Sequence, residues 1–156
     1  MNFENFTIKA QEAVQAAVNR ATDGGQQAVG SVHLLAGVLS AGENIVQFLL
    51  GKTGVNAHAL QAAVDSHLQG LPRVEGGEPY LDREANGVLL KAGELARREG
   101  DTYVGLEALL SALLEAGGTA SHMLKDAGMT ADALKAAVVE LRGGQKATSQ
   151  SSEDTY

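Results

Sequence analysis

Three sets of residues in this chain have side chains that could do chemistry. Gly51-Lys52-Thr53 has the ending of a phosphate-binding loop. That loop needs an earlier glycine so that turning backbone amides can cradle phosphate. The position falls at Val46, and the run between, Gln47-Phe48-Leu49-Leu50, reads as helix. A helix end, with Lys52 favoured by the C-terminal dipole, accounts for the residues better. The histidines are His33, His58, His67 and His122. His58 and His67 share one expected helix but sit half a turn out of phase, and His33 falls in the first turn of another, so packing or hydrogen bonding is expected of the histidines rather than catalysis or metal binding. The third set is a pair of carboxylates, Asp101 and Glu107.

Other chemistry is excluded by what the chain lacks. It has 156 residues and no Cys, so neither a disulfide framework nor a thiolate nucleophile is available. Serines fall at an expected cap, within expected helices or in the C-terminal tail, and no Ser-His-Asp arrangement can be drawn. Lys plus Arg number 12 against 19 Asp plus Glu, a formal charge of −7. That sign opposes nonspecific nucleic-acid binding, which rests on neutralising phosphates. No apolar run approaches the ~20 residues of a membrane span, and Met1-Asn2-Phe3-Glu4-Asn5 has no signal-peptide character. A soluble, cytoplasmic protein is expected.

The elements that position these residues come from a duplication. Val29 to Leu39 is echoed at Val104 to Leu114, an offset of 75 residues, with Val29/Val104, Gly30/Gly105, Leu34/Leu109, Leu35/Leu110 and Leu39/Leu114 identical. Downstream the offset becomes 74, pairing Leu50, Gly54, Leu60 and Val64 with Leu124, Gly128, Leu134 and Val138. Aromatics are only 4% of the chain while hydrophobic residues reach 44%, which favours closely packed Ala-rich helices. Four helices are expected in each half. Thr7, Ser31, Asn56, Asp82 and Thr130 are the expected caps, and the first helix carries an apolar stripe at Ala10, Ala13, Val14, Ala17 and Ala21. The chain therefore reads as an all-α fold of eight helices with pseudo-two-fold symmetry, its repeats spanning about 5–68 and 81–142. Pro72 and Pro79 mark the linker between them. Residues 145–156 are polar and are expected to be a disordered tether.

The duplication also tests Asp101 and Glu107. Their first-repeat counterparts are Gln26 and Val32, so the fold is built once without these carboxylates. Either they serve as a turn residue and a helix-dipole partner, or they bind something. On this reading, replacing either should change stability by no more than ~0.5 kcal/mol, as for ordinary surface positions.

Phe6-Thr7 leading an Ala-spaced helix, then Val29-Gly30-Ser31-Val32-His33-Leu34-Leu35, then a duplicate, resembles the Clp N-terminal domain of AAA+ unfoldases. Leu71-Pro72-Arg73-Val74-Glu75-Gly76, Arg98-Glu99-Gly100-Asp101 and Leu141-Arg142-Gly143-Gly144 are similar to the ClpB type within it. The resemblance covers residues 1–144 and makes 145–156 a tether toward an ATPase module. It implies a mobile substrate-binding domain on a homohexameric disaggregase that works with the DnaK system on unfolded or aggregated polypeptides. ATP and magnesium would belong to the other modules, leaving this piece monomeric, without cofactor and without ATPase activity. It further implies that Thr7, Asp101 and Glu107 engage substrate, with Leu89, Tyr103 and Leu110 in an apolar groove. The competing reading is an adaptor-docking domain of a Clp protease-associated unfoldase.

Overall fold

A computed structural model of the chain describes residues 2–74 and 76–156; Met1 and Glu75, which the sequence reading placed in the amino-terminal and Leu71–Gly76 segments, lie outside them. Among the described residues there are eight α-helices: α1 (Ile8–Asp23), α2 (Ser31–Ala41), α3 (Glu43–Lys52), α4 (Ala57–Gln69), α5 (Arg83–Arg98), α6 (Leu106–Glu115), α7 (Thr119–Asp126) and α8 (Ala131–Arg142). Four start where local chemistry dictates. The side chains of Thr7, Asn56, Asp82 and Thr130 accept from the amides of Ala10, Ala59, Ala85 and Ala133, satisfying donors that the first helical turn leaves free. Ser31 departs from the expectation. It is the first helical residue rather than the cap, and its hydroxyl turns away to Glu84.

The core is centred on α2 and α6, with Leu35 and Leu110 completely buried. Burying a leucine contributes about 1.5–3 kcal/mol, so these helices dominate the packing. α1 lies so close to α2 that a Cβ on Gly37 would run into the Ala13 carbonyl. The Ala stripe of α1 is what permits the approach, since a larger side chain at Ala13 or Ala17 would hold the helices apart.

The all-helical expectation omitted one detail: β1 (Ala28–Val29) pairs in parallel with β2 (Tyr80–Leu81). A second bridge joins Phe6 to Val104. The two are related by the repeat, because the offset of 75 carries Phe6 to Leu81 and Val29 to Val104. Matching bonds accompany them, from Asp82 N to the Val29 carbonyl and from Thr7 N to the Val104 carbonyl, both 2.9 Å. Each repeat thus pairs the segment before its first helix with the other repeat.

The tail is a correction. Rather than disordered, it folds back over α1 and the start of α6, ending in a short 3-10 turn at Ser152–Thr155. Its composition carries no apolar period, but Ala147 is fully buried and Glu153 nearly so.

Candidate functional site

The loop Asp101–Gly105 delivers the chain into α6, and the C-terminal end of α8 brings Arg142 beside it. The guanidinium meets Asp101 through two parallel bonds, Nη1 to Oδ1 at 3.0 Å and Nη2 to Oδ2 at 2.9 Å. Its Nε donates to Glu107 Oε2 at 3.3 Å. All three side chains are buried, with 8% of Arg142 and 2% of Glu107 exposed. Burial pulls the Arg142 pKa down, but the bonds to Asp101 and the charge of Glu107 outweigh it and hold the guanidinium above its usual range. Burial pushes the Glu107 carboxyl above the ordinary glutamate value, against the pull of Arg142.

Thr7 stands on the other side of the α6 N-terminus, fully buried. Its hydroxyl donates to Glu153 Oε2 at 2.7 Å, and Leu106 N donates to the same oxygen at 3.0 Å. Gly105 makes the room, because a Cβ there would strike the Glu107 carboxyl and come within 3.1 Å of Glu153 Oε2. Among the described residues neither Glu107 nor Glu153 has a hydrogen-bond partner for Oε1. Tyr156 closes the cluster, its ring centroid 5.6 Å from the Arg142 guanidinium carbon. Burial and then the Glu107 charge raise its phenol above the ordinary range.

The structure therefore gathers Thr7, Asp101 and Glu107 around one helix end. It does not leave them exposed, and the expectation of a near-neutral replacement is corrected: removing one member of a buried ion pair costs about 3–5 kcal/mol. The expected groove residues are scattered. Leu89 and Leu110 are core side chains, while Tyr103 is half-buried in the loop. A cleft of about 490 Å³ does open between α5, α6 and α8, but its apolar walls are Leu95, Leu134 and Val138. Arg142 was missed as a site residue, although the repeat marked it: its first-half counterpart is Leu68. Ala147 and Glu153 left no comparable signal.

The corresponding place in the first half has other chemistry. Gln26, Val32 and Leu68 stand where Asp101, Glu107 and Arg142 stand in the second. Gly30 N donates to His33 Nδ1 at 3.0 Å, and His33 Nε2 faces Gln26 Oε1 at 3.3 Å. Burial lowers the His33 pKa, which fits a neutral ring accepting at Nδ1. The hydrogen-bonding role expected of His33 is what this geometry provides.

Among the described residues no group of three His, Cys, Asp or Glu is placed to hold a metal. No single helix among them is long and apolar enough to cross a membrane.

Residues 5–127 match the family model of the Clp repeat (R) N-terminal domain. The whole chain is 53% identical to the chaperone protein ClpB of Bacteroides thetaiotaomicron and 47% identical to that of Porphyromonas gingivalis, spanning 18% of the length of each. The fold is similar to the Hsp104 N-terminal domain from Candida albicans, with a TM-score of 0.85 and 26% identity over 96% of this chain and 99% of that one.

Proposed function

Because the chain belongs to the Clp repeat N-terminal domain family and matches ClpB chaperones along its whole length, we propose that it captures unfolded or aggregated polypeptide for a ClpB-type disaggregase. The parent is a homohexameric AAA+ ATPase that uses ATP and magnesium in its other modules and cooperates with the DnaK system. This domain itself is monomeric and catalyses nothing. Capture takes place at Thr7, Asp101 and Glu107, with Arg142 holding the two carboxylates in position.

One observation carries this reading. The same fold is built twice, and only the second half has a buried ion cluster where the first has Gln26, Val32 and Leu68. Burying a charged triad is seldom the more stable solution, and apolar residues of similar volume often do as well or better. A cluster the fold does not need is therefore explained by binding. The adjoining cleft lined by Leu95, Leu134 and Val138 supplies an apolar surface for side chains that a folded protein would hide.

The test grafts the first half's solution onto the second: Asp101→Gln, Glu107→Val and Arg142→Leu in one chain. The variant is expected to melt within a few degrees of the parent and to bind a permanently unfolded protein, such as reduced carboxymethylated α-lactalbumin, at least tenfold more weakly. Undiminished binding by a folded variant would return the triad to a structural role.

A further inference from the structure

The helix ends at α2 and α6 are closed in different ways. At α2 the acceptor comes from inside, with His33 taking the Gly30 amide. At α6 the residue in the His33 register is Ala108, which has no acceptor to offer. The neighbouring amide, Leu106 N, is satisfied by Glu153, 47 residues along the chain. The fully buried Thr7 hydroxyl donates to the same carboxylate oxygen. Two fixed donors thus converge on one acid group supplied from elsewhere.

The rest of the tail is held by contacts that any extended polypeptide could make. Thr102 N and Tyr103 N both donate to the Ala147 carbonyl at 2.9 Å, Ile8 N donates to the Gln150 carbonyl at 2.8 Å, and Ala147 N donates to Asp101 Oδ1 at 3.0 Å. Against the rest of the domain, side-chain identity matters at Ala147, which must be small, at Glu153, which must carry an acid, and at Tyr156, whose ring lies on the Arg142 guanidinium. The hold is also a weak one. The segment buries little apolar surface, and hydrogen bonds exchanged for water each contribute only about 1 kcal/mol. Glu153 adds an opposing effect, since its charge is one of those that raise the Glu107 carboxyl, and both carboxylates keep an unpartnered oxygen beside the same seat.

We propose that residues 145–156 occupy the polypeptide site in cis, and that an extended segment of client bearing an acidic side chain displaces them, its carboxylate seated on Thr7 and Leu106 N. This deepens the capture reading and rests on it. Thr7 and Asp101, two of the residues assigned there to capture, are directly bonded to the tail.

The experiment uses the full chain and a fluorescein-labelled peptide with the sequence of residues 145–156, read by anisotropy. Ala147→Leu is too large for its enclosed position and frees the tail without touching the seat. Glu153→Gln, a milder change, removes the occupant's charge and keeps its shape. The peptide is expected to bind the Ala147→Leu chain at least tenfold more tightly than the unaltered chain, and the Glu153→Gln chain about threefold more tightly. A peptide carrying Gln at the position of Glu153 should bind at least tenfold more weakly. Unlabelled carboxymethylated α-lactalbumin should compete the labelled peptide away. Equal binding by all three chains, or indifference to the Gln peptide, overturns the carboxylate seat. If the peptide binds as expected but the unfolded protein fails to displace it, the shared site is wrong. The capture reading then still stands or falls on the grafted triad.

Discussion

Both repeats close a central helix over a turn, one with neutral chemistry and the other with charge. In the first, Gln26, Val32, His33 and Leu68 put neutral side chains around the turn into α2, and His33 accepts from the Gly30 amide at the same helix end. In the second, Asp101, Glu107 and Arg142 leave the α6 N-terminus open to an acceptor from outside. The difference teaches that a duplicated fold contains its own control. Where the halves agree, the residue serves folding, and the buried charges of the second half stand at places that the first half fills without charge.

The largest expected effect separates a broken cluster from a replaced one. Arg142→Ala strands Asp101 and Glu107 in a buried place and should lose about 3–5 kcal/mol in urea unfolding. The grafted triad, which removes the same guanidinium together with its partners, should stay within about 1 kcal/mol of the parent. Equal losses in the two would mean that the halves are not interchangeable and would break the comparison.

A smaller effect sharpens it along the helix pairs. Gly37 lies where α1 and α2 touch backbone to backbone, but its second-half counterpart is Ala112, which accommodates a methyl. Gly37→Ala should therefore destabilise by about 1–3 kcal/mol through overpacking. Ala112→Gly should cost nearer 1 kcal/mol, through helix propensity and a lost methyl contact. A tolerated Gly37→Ala would show that the α1–α2 spacing can relax.

The smallest is a pH dependence of opposite sign at two glutamates. Glu107 is raised by burial, so the folded chain holds a proton that the unfolded chain releases. Its contribution is fully present below about 4.5, the ordinary value, and is lost as pH rises through the raised folded value. Glu84 is lowered, first by the Ser31 hydroxyl and then by Thr119 N. Its contribution is present above the ordinary value and is lost as pH falls through the lowered one. Melting curves across pH should show Glu107→Gln removing the decline as pH rises above about 4.5 and Glu84→Gln removing the loss as pH falls below it. Curves parallel to the parent in both variants would contradict the two assignments.

Much of the fold was legible because its causes are local. The caps at Thr7, Asn56, Asp82 and Thr130 and the Ala stripe of α1 depend on neighbours within a turn or two. Asp101 and Glu107 were legible through the repeat, as Arg142 would have been had its mismatch with Leu68 been read the same way. Leu89 and Leu110 were misplaced for a physical reason: an apolar side chain looks the same in sequence whether it faces a core or a groove. The docked tail was illegible because backbone bonds from Ile8, Thr102 and Tyr103 hold most of it, and such bonds leave no trace in residue type.

The exchanged bridges, Val29 with Leu81 and Phe6 with Val104, bear on how the domain comes apart. Each half draws from the other the pairing partner for the edge that enters its first helix, so neither can melt and leave its partner with its hydrogen bonds intact. The halves are clasped like two hands. Despite its two-part sequence, the domain is therefore one cooperative unit, and the amides of Thr7 and Asp82 should exchange with solvent through the same global opening.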